Sequence, residues 1–186
     1  MKFVLISSNP RKINELRKLL EPEFNVEIMQ LEYPELKLDE PCEISRAAAK
    51  MLAERLKKTV LVEDSGCHIE ALNGFPGIMT KFTHKRIGNE GLLKLMKGVK
   101  NRKAYYKSAI GLCSPGKQPL CFLGIEEGKI AGKLRGNKGL GQDPIFMPKG
   151  KKKTYGELGY PQGYHLFRKN AVEKLKEYLL TAGNNG

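Results

Sequence analysis

Short apolar runs alternate with amphipathic stretches through the first third of the chain. Lys2–Ile6 is apolar from Phe3 onward and reads as a short buried strand. Ser7-Ser8-Asn9-Pro10 follows, after which Ile13, Leu16, Leu19 and Leu20 recur at helical spacing. The spacing predicts an amphipathic helix with Asn9 as its N-cap and Pro10 at its first position, where the missing N–H costs nothing. Phe24–Met29 predicts a second strand and Ile44–Lys57 an alanine-rich helix. Thr59–Val62 is a β-branched strand leading directly into Glu63-Asp64-Ser65-Gly66. Further on, Gly74, Pro76 and Gly77 mark a turn and Gly91–Met96 a short helix. Ala104–Cys113 and Leu120–Ile125 look like paired strands, and the glycine-rich stretch 132–150 reads as irregular. A last helix spans roughly His165–Leu180, with Phe167, Val172, Leu175 and Leu179 facing inward. Early alternation of strand and helix with strands clustering later predicts a mixed α/β class with both parallel and antiparallel pairing.

At 186 residues the chain fits one domain over 1–186, or two closely joined lobes. No apolar run reaches the roughly 20 residues of a membrane span, and the apolar start is too short for a signal peptide, so the cytoplasm is expected. Cys42, Cys67, Cys113 and Cys121 form no CxxC pair and, with His68, His84 and His165, no zinc spacing; separate reduced thiols are expected. Lys and Arg number 33 against 20 Asp and Glu, a net charge of +13. That excess attracts polyanions, including nucleic acid, a membrane surface or a phosphorylated small molecule. The chain has no RGG repeat, no basic stretch interleaved with aromatics and no zinc finger, and the cluster Lys149-Gly150-Lys151-Lys152-Lys153 reads as a solvated loop.

Two segments carry candidate chemistry. Ser7-Ser8-Asn9-Pro10-Arg11-Lys12 is a strand, a small polar turn and a helix start, which can point backbone N–H groups and the positive dipole end at an anion. Arg11 and Lys12 sit unfavourably against that dipole unless an anion is present; the same residues also suit an ordinary capped surface helix. The second segment, Glu63-Asp64-Ser65-Gly66, closes an apolar strand, and strand ends are where ligand sites open in α/β sheets. Neighbouring carboxylates on a strand point to opposite faces, so only one can serve a given site. A hard cation such as Mg²⁺ needs carboxylate oxygens and commonly bridges to substrate phosphates, and Glu35 could supply a second ligand. Solvated acids at a strand end are the plain alternative.

In order along the chain, four blocks resemble one family. Ser7-Ser8-Asn9-x-x-Lys12-x-x-Glu15 resembles its opening [ST]-x-N-x-x-K-x-x-E. Val62-Glu63-Asp64-Ser65-Gly66 with Ala71-Leu72-Asn73-Gly74-Phe75-Pro76-Gly77 is similar to its [ED]-D-S-G-L…ALNGxPG block. Gly139-Leu140-Gly141-Gln142-Asp143-Pro144-Ile145-Phe146 resembles its GFG[YW]DPIF, and Thr154-Tyr155-Gly156-Glu157 its T-x-x-E. The family is the inosine triphosphate pyrophosphatases, which hydrolyse ITP, dITP and XTP to the monophosphate and pyrophosphate. The resemblance implies a long mixed β-sheet with flanking helices forming two lobes around a substrate cleft, usually as a homodimer. It implies that Ser7, Ser8, Asn9 and Lys12 hold the triphosphate and that Lys50 faces the phosphates. Asp64 would be the base and, with Glu35, a ligand of Mg²⁺, for which Mn²⁺ could substitute. Ser65, Gly141, Asp143, His165 and Arg168 would contact the nucleotide. The partner implied is the nucleoside triphosphate, with no membrane and no nucleic acid.

Two departures fall on base recognition. The family's aromatic pair is Leu140 and Gln142 here, and its Ser-His-Arg aligns with Leu166, Phe167 and Arg168, so only the arginine matches; its upstream lysine falls on Gln162. Three explanations stay open: His165 takes the histidine's place, Phe167 restores stacking, or the purine pocket has altered base preference. An active pyrophosphatase with relaxed selectivity is expected; a catalytically impaired nucleotide- or RNA-binding relative is the alternative.

Overall fold

The structure is a computed structural model and describes residues 2–34, 38 and 40–183. Strands are β1 (Lys2–Ile6), β2 (Asn25–Met29), β3 (Val60–Ile69), β4 (Pro76–Gly77), β5 (Lys103–Cys113), β6 (Leu120–Ile130) and β7 (Phe146–Pro148). Helices are α1 (Pro10–Leu20), α2 (Pro41–Leu56), α3 (Thr80–Leu95), α4 (Tyr155–Leu158) and α5 (Leu166–Gly183). Among the described residues the strands form one mixed sheet in the order β2-β1-β3-β5-β6-β7, with β4 against β3. Pairing of β1 with β2 and β3 is parallel; β3 with β4 and β6 with β7 is antiparallel.

The chain divides into two compact units. The first comprises residues 1–64, 108–124 and 163–186. Its strands obey the period of two, and each face meets a different helix set. Phe3, Leu5 and Leu61 pack with Leu16 and Leu20 of α1 and Val172, Leu175 and Leu179 of α5. Val4, Ile6, Val60 and Val62 pack with Ala48, Ala49, Leu52 and Ala53 of α2, whose small side chains let the helix lie close to the strands. Continuing that alternation turns Glu63 toward the α1/α5 face and Asp64 toward the α2 face.

The second unit comprises residues 65–107 and 125–162. Tyr106, Phe146, Tyr155 and Tyr160 form a run of ring contacts through it, with centroids 4.2 to 6.1 Å apart. Gly66 is fixed by steric need: a Cβ there would stand 2.0 Å from the Gly77 carbonyl oxygen. The ALNGFPG block therefore builds the tight return that lays β4 on β3. Thr80 completes it, accepting from Cys67 N at 2.8 Å and donating to Gly77 O at 2.6 Å.

Several expectations need correction. The helix expected over 91–96 starts at Thr80, and its apolar period is broken because Gly88, at φ 62°, kinks it. β3 and β6 run further than expected because tertiary pairing extends them through polar residues. Within 132–150, residues 146–148 pair with β6. Thr154-Tyr155-Gly156-Glu157 is the start of α4, where Glu157 Oε2 accepts from Thr154 N at 2.8 Å in capping-box fashion. Cys42 and Cys121 are bonded to each other, not reduced: 79 residues apart in sequence, the start of α2 and the start of β6 put their Cα atoms 5.7 Å apart. Cys67 and Cys113 are free and buried.

Candidate active site

In the first unit the site is built where β1 ends against the middle of β3. Ile6 pairs with Val62, so Ser7-Ser8 leave β1 at the level where β3 presents Glu63-Asp64. Asn9 caps α1 there, its Oδ1 accepting from Arg11 N at 3.0 Å and Lys12 N at 3.3 Å. With Pro10 carrying no N–H, these bonds use the first-turn donors. The expectation that free amides of this turn face an anion is therefore corrected: Asn9 satisfies them itself, and positive potential comes from the dipole and the side chains. Ser7 Oγ accepts from Asn9 N at 3.2 Å, and Ser8 and Asn9 are exposed.

Lys12 reaches back from α1 to β3, its Nζ 2.8 Å from Glu63 Oε2 and 3.1 Å from the Glu63 carbonyl. Glu63 also accepts from Ser108 Oγ at 2.6 Å and from Arg168 Nε at 3.2 Å. Burial alone would raise this carboxyl, but Arg168, Lys12 and Ser108 outweigh it and pull its pKa down to about 2. Glu15, on α1, is the network's second carboxylate. Its Oε2 accepts from Arg168 Nη1 at 2.5 Å and from His165 N at 3.0 Å, which puts a negative charge at the start of α5. Arg11 Nε lies 3.1 Å from Glu15 Oε1, and Arg11 Nη2 lies 3.2 Å from His165 Nε2. Arginine can only donate, so that contact assigns Nε2 as acceptor and Nδ1–H as donor to Glu15, 3.0 Å away. Burial opposes the ionised form of Glu15 as well, yet the His165 hydrogen bonds and the Arg168 charge hold its pKa well below the ordinary carboxylate range.

In the second unit Asp143 is 2% exposed and clamps its own loop. Its Oδ1 accepts from Tyr106 Oη at 3.0 Å and its Oδ2 from Leu140 N at 2.7 Å. Burial first, then the Asp143 charge, pushes the Tyr106 hydroxyl well above its ordinary pKa, so it stays a donor. The Gly141 carbonyl accepts from Asn89 Nδ2 at 2.8 Å. Leu140 is 67% exposed, whereas Gln142 is 1% exposed.

The sequence model of the Ham1 family matches residues 3–178. A protein of Methanopyrus kandleri named dITP/XTP pyrophosphatase is 43% identical over 96% of each chain. One of the same name from Methanosarcina mazei is 43% identical over 96% of this chain and 97% of its own. The chain belongs to the Ham1 family. A solved structure of a HAM1 protein from Coxiella burnetii superposes with a TM-score of 0.86 at 26% identity, covering 97% of this chain and 99% of that one.

Against this Ham1 frame the first unit brings together Ser7, Ser8, Asn9, Lys12 and Asp64. Lys50 is not among them. It is exposed on α2 and acts electrostatically on Glu54 and Cys113, toward the opposite end of β5 from Ser108. Arg168 and His165, expected to contact the base, are 4% and 5% exposed and engage Glu15 and Glu63, because α5 begins against the first half of α1. Phe167 is 4% exposed and packs at a tilt against His165 with centroids 4.8 Å apart, within the core. Ser65 is half-buried in β3, and Asp143 supports the loop carrying Gly141. Glu35 lies outside the described residues, among which no group of three or more His, Cys, Asp or Glu gathers as a metal cluster. Glu15 and Glu63 are matched by cations, and the alternation of β3 turns Asp64 to the α2 face. One carboxylate fits a hard cation that takes its remaining ligands from phosphate oxygens. Leu31 and Tyr33, just before the Glu35 segment, pack on the same α2-face cluster. Sequence reasoning placed Glu15 and Glu63 in its motifs without giving either a role, and did not single out Ser108, Tyr106 or Asn89. The one available signal was Glu15, an acid beside the α1 apolar stripe with Arg11 four residues earlier.

Proposed function

We propose that this protein hydrolyses ITP, dITP and XTP to the nucleoside monophosphate and pyrophosphate. The observation that carries this reading is that Lys12 reaches Glu63, next to Asp64, at the level where β1 ends and α1 begins. Membership of the Ham1 family and the names of its relatives support it. Phosphoryl transfer is chiefly positioning and charge neutralisation. Lys12, held extended by Glu63, exchanges part of that contact for triphosphate oxygens, aided by Ser7, Ser8 and the α1 dipole. Glu63 stays ionised throughout because Arg168 and Ser108 remain on it. Asp64 accepts a proton from water as the water oxygen bonds to the α-phosphorus; the bond from that phosphorus to the bridging oxygen breaks, and pyrophosphate leaves. A divalent cation, Mg²⁺ or its substitute Mn²⁺, would be held by Asp64 and Glu35 and supplies neutralisation of phosphate charge.

We propose further that the enzyme works in the cytoplasm as a homodimer. Among the described residues no helix is long and apolar enough to cross a membrane, which is compatible with that location. Met79, Phe82 and Ile87, each more than 40% exposed near or on α3, offer an apolar face that a second copy could cover. Purified protein with Mg²⁺ and ITP, dITP, XTP, GTP or ATP tests the reading. Pyrophosphate release from the first three is expected, and none from any of them overturns it.

A further inference from the structure

The excess positive charge is not spread evenly along the chain. In the second unit Lys and Arg number 17 against 6 Asp and Glu, a net +11, whereas in the first they number 16 against 14, a net +2. The reaction proposed above draws on the first unit and leaves this charge unused. Its densest part is residues 132–138 with 149–154, which carry 6 lysines, one arginine and no acid.

These two segments are laced together through backbone groups. Arg135 Nη2 donates to the Lys152 carbonyl at 2.9 Å, and Thr154 Oγ1 donates to the Arg135 carbonyl at 2.7 Å. Lys138 N donates to Gly156 O at 2.9 Å, and Lys151 N to Pro148 O at 3.0 Å, closing a turn in which Gly150 takes φ 76°. The neighbouring acids are already engaged: Glu157 is shared by Arg135 and Thr154 N, and Glu127 meets Lys149. Lys133, Lys138, Lys151, Lys152 and Lys153 are exposed, and among the described residues none of them lies in an ion pair. Like charges held together on a fixed backbone repel one another, and that repulsion is relieved when a polyanion lies across them.

We propose that this surface binds the phosphate backbone of double-stranded nucleic acid, DNA and RNA alike, without reading sequence. Duplex DNA carries one negative charge per roughly 1.7 Å of axis, and lysines that displace its condensed counterions gain affinity from charge alone. The two segments contain no aromatic residue on which an unpaired base could stack, which favours a duplex over a single strand. Among the described residues Leu134 is their one exposed large apolar side chain, too little apolar surface for insertion into a bilayer. The proposal departs from the expectation that nucleic acid is no partner, and it stands independently of the pyrophosphatase reading.

Fluorescence anisotropy of short labelled duplexes, titrated with the protein between about 50 and 200 mM KCl, tests this. Five engaged lysines predict that log K falls with log salt at a slope of about −4.5 for DNA, with DNA and RNA duplexes of unrelated sequence bound within about threefold of one another. Lys151→Gln, Lys152→Gln and Lys153→Gln combined should flatten the slope to about −2 and weaken binding about tenfold or more at about 100 mM KCl. The same charge removed from exposed positions of the first unit, by Lys18→Gln, Lys117→Gln and Lys174→Gln combined, should change affinity less than about threefold. Turnover of ITP by the 151–153 variant should equal that of wild type. A wild-type slope shallower than about −2, equal losses in the two variants, tighter binding of single strands, or a tenfold preference for one duplex overturns the proposal. So does protein that sediments with phosphatidylserine vesicles but leaves duplexes unbound, and so does slower ITP turnover in the 151–153 variant, which would assign those lysines to the nucleotide. If that variant fails to fold, the wild-type slope and the single-strand comparison still decide. If wild type releases no pyrophosphate, the enzymatic reading falls and the anisotropy decides this one unchanged.

Discussion

Replacing Arg168 by methionine should destabilise the protein heavily, and the damage should shrink in acid. The guanidinium is 4% exposed and is shared between Glu15 and Glu63, themselves 3% and 7% exposed. Methionine fills a similar length but leaves both carboxylates facing one cation fewer. Removing one partner from a buried pair costs about 3–5 kcal/mol, mostly the penalty of the charge left behind. A second route gives a similar figure. Glu63 is drawn from 4.5 to about 2 by Arg168, Lys12 and Ser108 together, which corresponds to about 3 kcal/mol for one of the two carboxylates. For a chain of this size each kcal/mol moves Tm by about 2–4 °C, so a fall of roughly 6–20 °C is expected near pH 7. The sign with pH follows from linkage. Both carboxyls have folded pKa values below their unfolded ones, so their contribution is present above about pH 4.5 and is lost as pH falls toward 2. In Arg168→Met the balance tips toward burial and protonation relieves the variant, so its Tm deficit should narrow between pH 6 and pH 4. Calorimetric melts of both proteins across that range measure it. A deficit under about 2 °C at pH 7, or one that does not change with pH, would refute the network argument.

Asp64→Asn should lower kcat by far more than tenfold while calorimetric triphosphate affinity changes little, since Lys12 and the α1 start remain; more than about a tenth of wild-type kcat would mean that Asp64 is not the base. Activity should disappear in EDTA and return with Mg²⁺, and Glu35→Gln should shift the Mg²⁺ titration upward more than it shifts nucleotide KM; full activity in EDTA rejects the metal role. Cys42→Ser, or reductant added to wild type, should lower Tm by an amount corresponding to about 2–4 kcal/mol, as expected for opening a long cross-linked loop. An identical Tm with and without reductant would show that the Cys42–Cys121 bond does not contribute.

What the sequence made legible followed strong local signals. The apolar run at β1, the Asn9-Pro10 cap and the stripe Ile13, Leu16, Leu20 are period and capping effects that need no tertiary partner. Placing Glu63 and Asp64 on opposite faces needed only the pleat. What stayed hidden depends on distant chain segments meeting. Glu15 and Arg168 are 153 residues apart, and nothing local tells that α5 begins against the first half of α1. For the same reason the pairing of Arg168 with two buried acids was not legible. The disulfide joins residues with no motif between them. The α3 boundary was obscured by Gly88, where the backbone leaves helical geometry and kinks the helix, and by Gly91, which weakens the helical pattern locally. Asp143 was singled out for ligand contact, and its clamp on the loop that carries Gly141 and Gln142, through Tyr106, was not legible.

The central claim is water attack at the α-phosphorus with pyrophosphate as leaving group. Turnover of ITP in heavy-oxygen water, followed by mass spectrometry of both products, tests it most directly. One heavy oxygen is expected in the inosine monophosphate and none in the pyrophosphate. Label in pyrophosphate or in orthophosphate would place the attack at another phosphorus and contradict it.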